Sequence, residues 1–196
     1  MIYDWQELYR SRLVDPKTAL KSIRKGSRVF VGSACGEPQL LVRTLIEIAP
    51  NLHDTEIIHF LDLGTAEYAE ERFDENFRHN ALFIGPNTRK AIKEGRADYT
   101  PIFLSEIPIL MLRGRMRIDV ALIQVSPPDK NGYVSLGISV DITKTAADVA
   151  EYVVAEVNPR MPRTLGDSFI RQPHPRLRRE RRPADRVPVQ VTHRPG

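Results

Sequence analysis

The residues able to do chemistry in this chain gather in two short runs that mix small residues, prolines and polar side chains. The first, Val31-Gly-Ser-Ala-Cys-Gly-Glu-Pro-Gln39, lies between an apolar run and a helical pattern. Gly32, Ser33, Cys35 and Gly36 let a ligand approach the backbone. Glu37, Pro38 and Gln39 open the helix, where free amides favour an anionic group or a developing oxyanion. A tight turn that needs its glycines for backbone angles alone fits the same run. The second, Ser126-Pro-Pro-Asp-Lys-Asn-Gly-Tyr133, follows another apolar run. Ser126, Pro127 and Pro128 give a stiff start, and Asp129 begins a turn that delivers Tyr133. Such a loop suits polar groups held against a substrate. A hairpin turn in which Asp129 bonds its own backbone fits equally well.

Single residues within these runs carry less. Cys35 is the sole cysteine, so it forms no intrachain disulfide. A thiol before a helix can become reactive, but no histidine is near in sequence, and a buried small residue is the favoured reading. Glu37 offers a carboxylate nucleophile or, more simply, a residue matched to the helix dipole. His53, His59 and His79 lack metal-ligand spacing, and His174 and His193 lie near the end of the chain; no metal site is expected.

Strands and helices must place these runs. Asp15-Pro16 is a helix start, and Gly26 suits the stop behind Ala19, Leu20 and Ile23. Residues 28–32, 56–61, 81–85, 118–125 and 152–157 read as strands, several of them apolar on both faces. Residues 37–49, 87–94 and 105–112 read as helices. The alternation predicts an α/β fold: an open, mostly parallel sheet flanked by helices. In such sheets ligands bind beyond the carboxyl ends of the strands, where both runs fall.

The chain has 196 residues, enough for one domain with a sizeable core. Its apolar runs are too short to span a bilayer, and Met-Ile-Tyr-Asp-Trp is no secretory or transit signal, so a cytoplasmic protein without membrane contact is expected. The net charge of +4 is unevenly spread: residues 171–196 hold eight arginines and two acids, leaving −2 for residues 1–170. Five prolines and few apolar residues there predict a disordered Arg/Pro-rich tail after a domain over 1–170. Without tyrosine or tryptophan to stack bases, the tail would hold nucleic acid only by salt-sensitive attraction, and nucleic acid is not the expected partner.

Longer motifs add a resemblance. Gly32-Ser-Ala-Cys-Gly-Glu-Pro-Gln39, Tyr99-Thr-Pro-Ile-Phe-Leu-Ser-Glu-Ile-Pro108 and Asp119-Val-Ala-Leu-Ile-Gln-Val-Ser-Pro-Pro-Asp129 resemble the acetyl-CoA hydrolase/transferase family, which includes the 4-hydroxybutyrate CoA-transferases. Asn131-Gly-Tyr-Val-Ser-Leu-Gly137 and Val157-Asn-Pro-Arg-Met-Pro-Arg-Thr-Leu-Gly-Asp-Ser168 continue it in order, so the resemblance covers residues 1–170. It implies two similar α/β halves with the active site between them. A glutamate attacks an acyl-CoA thioester, passes through an anhydride and a glutamyl-CoA thioester, and is released by an acceptor carboxylate or, in hydrolysis, by water.

On this resemblance the coenzyme A thioester is a substrate and no cofactor is permanently bound. Acyl-CoA and a small carboxylate are the ligands, and a second copy or a C-terminal-half chain is the protein partner. The nucleophilic glutamate and a glycine-rich oxyanion segment belong to the C-terminal half, which the resemblance does not find after Ile170. Arginine and proline at the tail's density are what a shifted frame of a GC-rich gene encodes, so a truncated, inactive product is expected; an engineered end or a genuine divergent tail are the alternatives. The functional expectation is the N-terminal half of a CoA-transferase or acetyl-CoA hydrolase, then one subunit of a split enzyme, then a non-catalytic anion-binding protein using the tail.

Overall fold

The computed structural model describes residues 5–171 and 189–192. Its main sheet is built from β1 (Arg28–Val31), β2 (Thr55–His59), β3 (Phe77–Ala81), β4 (Ala97–Tyr99), β5 (Val120–Val125), β7 (Tyr152–Val157) and β9 (Val189–Thr192). The order is β4-β3-β2-β1-β5-β7-β9, and every neighbouring pair is parallel. The chain lays down β1 to β4 in one direction and then returns to the other side of β1. The order therefore reverses between β1 and β5, and the loops leaving their carboxyl ends flank a switch point of the kind that binds ligands. A small antiparallel pair, β6 (Tyr133–Ser135) with β8 (Phe169–Arg171), stands apart.

Two apolar layers cover the sheet. Val29, Val31, Val120 and Leu122 face α2 (Pro16–Ala19) and α3 (Gln39–Glu47), through Ala19, Leu41, Val42 and Leu45. Phe30, Ala121, Ile123 and Val125 face the opposite way, against α5 (Ile107–Leu112) and α6 (Thr143–Val149), through Ile107, Met111, Ala146 and Ala147. Burial on both faces is why β5 is buried at all six positions and is apolar at all but Gln124. Asp15 caps α2 by accepting the Thr18 amide, and Gly26 takes a φ of +74°.

The differences from the sequence expectation have local causes. The strand expected over 81–85 lies at Phe77–Ala81. There buried Phe77, His79 and Ala81 alternate with Arg78, paired to Asp98, and Asn80, bonded to Glu56, so its signal is alternation and not an apolar run. The helix expected from residue 37 starts at Gln39, with Pro38 in the capping position. Val189–Thr192, expected as tail, pairs with β7 in parallel. The expectation of disorder over the rest of 172–196 lies outside the described residues. No helix among the described residues is long and apolar enough to cross a membrane.

Candidate functional site

Both singled-out runs leave the same end of the sheet, from adjacent strands that pair Val31 with Leu122. The Gly32 amide donates to Leu122 O at 2.8 Å, and Gln124 of β5 donates from Nε2 to Glu37 O at 3.1 Å. Asn158, after β7, holds that Gln124 by its side-chain oxygen. Ala34 adopts a φ of +52°, outside the usual range for a side chain with a Cβ, and its amide is pinned to Leu61 O at 2.8 Å. Strain held in place in this way is a mark of sites where the backbone is shaped for a purpose.

The loop corrects two expectations. Cys35 is exposed, not buried, because the turn Ala34–Gly36 points it away from the core. Glu37 is not the dipole partner of α3. It precedes the helix, while the buried Glu156 carboxylate of β7 accepts the Leu40 and Leu41 amides at 2.9 and 3.4 Å. Those amides, expected to be free for an oxyanion, are thus occupied from within the protein.

Glu37 instead turns inward, 1 % exposed, toward the end of β2. There one carboxylate oxygen each of Glu37 and Asp62 and a ring nitrogen of His59 lie within 4.8 Å of one another, all three residues buried. Both Asp62 oxygens are engaged: Oδ1 accepts the Gly64 amide at 2.6 Å and Oδ2 the Tyr68 hydroxyl at 3.2 Å. The same hydroxyl lies 2.9 Å from His59 Nδ1. By contrast Glu37 Oε1 and Oε2, His59 Nε2, Ser33 Oγ and Ser139 Oγ are buried and make no hydrogen bond of normal geometry among the described residues, although the Gly64 amide and Gln39 lie toward Glu37 and the Gly32 backbone toward His59. Buried polar atoms without partners are costly, so so many in one region call for a ligand or water to meet them. Burial, then the Asp62 charge, push Glu37 up to about 8; burial pushes His59 down to about 4. The Glu37–His59–Asp62 donor set also has the composition to hold a divalent cation.

Two glycines make this closeness possible. A Cβ on Gly36 would lie 1.6 Å from Ser139 Oγ, and one on Gly64 would lie 2.5 Å from Glu37 Oε1. His59, Asp62, Gly64, Tyr68 and Ser139 were missed in the sequence. Four of them follow from one available signal: Asp62 and Gly64 sit just past the carboxyl end of a strand adjoining β1, and His59 and Tyr68 flank them.

The second run satisfies itself. Asp129 Oδ1 accepts the Asn131 and Tyr133 amides at 2.8 and 2.9 Å, and Oδ2 takes Arg163 at 2.6 Å. Ser126 Oγ donates to Pro127 O and accepts the Ser135 amide. Pro127 is exposed and Pro128 and Tyr133 are half-buried. This is the hairpin geometry, with its polar groups already paired. A surface groove of about 470 Å³ lined by Thr65, Ala66, Arg72, Asn87, Lys90 and Arg96 includes none of Glu37, His59 and Asp62.

Residues 2–187 match the acetyl-CoA hydrolase/transferase N-terminal domain. The chain belongs to the acetyl-CoA hydrolase/transferase family. Within this family it is 51 % identical over 167 residues to the 4-hydroxybutyrate coenzyme A transferase of Clostridium kluyveri, covering 85 % of this chain and 39 % of that protein. The crystal structure of 4-hydroxybutyrate CoA-transferase from Porphyromonas gingivalis superposes with a TM-score of 0.74 at 28 % identity, over 97 % of this chain and 42 % of that one. RipA from Yersinia pestis gives 0.84 at 25 %, over 97 % and 44 %. The chain thus spans about two-fifths of the length of these relatives, and the family domain it carries is the N-terminal one.

Proposed function

We propose that this chain forms one wall of a cleft in which coenzyme A moves between an acyl-CoA and a small carboxylic acid of the acetate or 4-hydroxybutyrate type, and that it does not turn over alone. The carrying observation is the set of buried polar atoms on Ser33, Glu37, His59 and Ser139, around the β1–β5 switch point, that make no hydrogen bond of normal geometry among the described residues. Gly32, Ser33, Gly36, Glu37 and Gln39 then face the acyl group and coenzyme A from one side, and Ser126–Tyr133 borders the cleft as a stiff rim. Glu37 is ill-suited to attack a thioester: it is buried, and burial beside Asp62 favours its neutral, non-nucleophilic form. The attacking carboxylate is supplied from outside these 196 residues. Exposed Leu63, Phe83, Phe103, Ile138 and Val140, on segments beyond strand ends, give a second half apolar surface to cover.

The test is incubation of the purified chain with acetyl-CoA and 4-hydroxybutyrate, read by intact-protein mass spectrometry and by release of free thiol. The expected result is an unmodified mass and thiol release no faster than the protein-free blank. A coenzyme A adduct on any glutamate of this chain would overturn the assignment of the nucleophile. Water as the acceptor would make the whole protein a hydrolase; the same cleft serves both outcomes.

A further inference from the structure

The two sides of the main sheet end differently. On one side the edge strand β4 is three residues long, Asp98 and Tyr99 are exposed, and Arg78 of β3 bridges Asp98 at 2.6 Å. A short, charged strand of this kind offers little to an incoming chain. On the other side β7 is six residues long, buried at all but Tyr152, and pairs with β5 without a bulge; it carries neither proline nor lysine. Left bare, its outward amides and carbonyls would be a template for another strand. β9 meets them, in continuous parallel register from Val154↔Val189 to Val157↔Thr192. No turn brings it there. Seventeen residues, 172–188, separate it from Arg171 at the end of β8, in the small sheet. Its backbone runs beside β7 and α2. A strand held by its ladder across so long a connection relates to the edge as a tethered ligand to its site, at an effective concentration in about the millimolar range.

We propose that the outer edge of β7 is a strand-accepting surface, that residues 189–192 occupy it as its tethered ligand, and that the partner it admits when they leave is the same segment of a second copy of this chain, laid in the same parallel register. The sequence of the segment suits this part. Val187-Pro-Val-Gln-Val-Thr192 places valine at every second position, a pattern that favours a strand. Arg186, Pro188, Arg194 and Pro195 stand in and around it, and residues of these types stop a further strand from adding. The segment thus extends the sheet by one strand and blunts it there. Extended segments bind sheet edges chiefly through main-chain hydrogen bonds, so the edge takes the segment of a second copy as readily as its own. Two copies that exchange β9 make no contact that a single copy lacks, which keeps the cost of exchange low.

The test compares the full chain with its double variant Gln190→Pro/Val191→Pro. Along a parallel ladder, amides alternate between facing the neighbouring strand and facing away, so two adjacent prolines remove a donor to β7 whichever parity holds. A fluorescein-labelled peptide of residues 186–194 stands for the segment of the second copy, with a scrambled peptide of the same composition as control. The labelled peptide is expected to bind the double variant at least about tenfold more tightly than the unaltered chain, whose own β9 competes. The scrambled peptide binds neither. Every second amide of Tyr152–Val157 loses roughly hundredfold protection from hydrogen exchange in the variant and regains it with the peptide. Sedimentation of the unaltered chain from about 10 μM to about 1 mM shows dimer growing in at the upper end. Equal peptide binding to both chains, binding to neither, or equal binding of the scrambled peptide overturns the strand-accepting edge. Fast exchange at alternate β7 amides of the unaltered chain overturns it without any variant. Self-association of the double variant that the peptide disperses supports the edge, and association that the peptide leaves untouched overturns it. A chain that stays monomeric throughout while the peptide binds the variant overturns the second copy as partner.

Discussion

The segments leaving β1 and β5 both carry serine, proline and an acidic residue, yet they treat their polar groups in opposite ways. After β5, Asp129 is spent on two backbone amides and Arg163, and Ser126 on its own hairpin. After β1, the side chains of Ser33 and Glu37 are buried deeper, and their oxygens make no hydrogen bond of normal geometry among the described residues. Composition does not distinguish a loop that binds from a loop that merely folds. What distinguishes them is whether the buried donors and acceptors close on themselves. The first segment is left open at the point where strand order reverses, and that is where a ligand would complete it.

The largest expected effect tests whether α3 is sealed by the protein. Glu156→Ala leaves the Leu40 and Leu41 amides unpaired in the core, and should cost about 3 kcal/mol in urea unfolding. A loss under about 1 kcal/mol would mean that the helix start is open after all, and would return the anion site to those amides. Next is the close approach behind the open segment. Gly36→Ala drives a methyl into Ser139 and should cost about 2 kcal/mol, with Ser139→Ala in the same background recovering part of it; no recovery would show that the clash is relieved by moving the loop instead. The smallest effect belongs to the closed segment. Its Arg163–Asp129 bridge is partly exposed, 39 % and 22 % by side chain, so Arg163→Ala should shift unfolding by less than about 1 kcal/mol. It should leave ligand binding unchanged, and a large loss of binding would erase the contrast between the two segments.

Much of the scaffold was legible in the sequence. Val120–Val125 and Tyr152–Val157 announce themselves because burial on both faces demands mostly apolar residues, with Gln124 and Glu156 the exceptions, and Asp15-Pro16 carries its capping chemistry in its side chains. Phe77–Ala81 was displaced by four residues because Arg78 and Asn80 find their partners across the sheet, a relation invisible along the chain. The site was half legible. Small residues after β1 marked Gly32, Ser33 and Gly36, but the meaning of Glu37 depends on Asp62, 25 positions on, and on Glu156, which takes the helix-capping role from a distant strand. Cys35 was misread because local sequence does not say which way a turn points its side chains. His59 has Asp62 three residues on, but the Glu37 carboxylate reaches it only when β1 and β2 pair.

The most direct test of the central claim is a titration of acetyl-CoA into the isotopically labelled chain, followed by amide chemical shifts. The account predicts shifts at residues 32–39 and 60–65, the two strand ends that converge on Glu37, with residues 129–133 unmoved. Shifts confined to 129–133, or to the chain after residue 171, would contradict it.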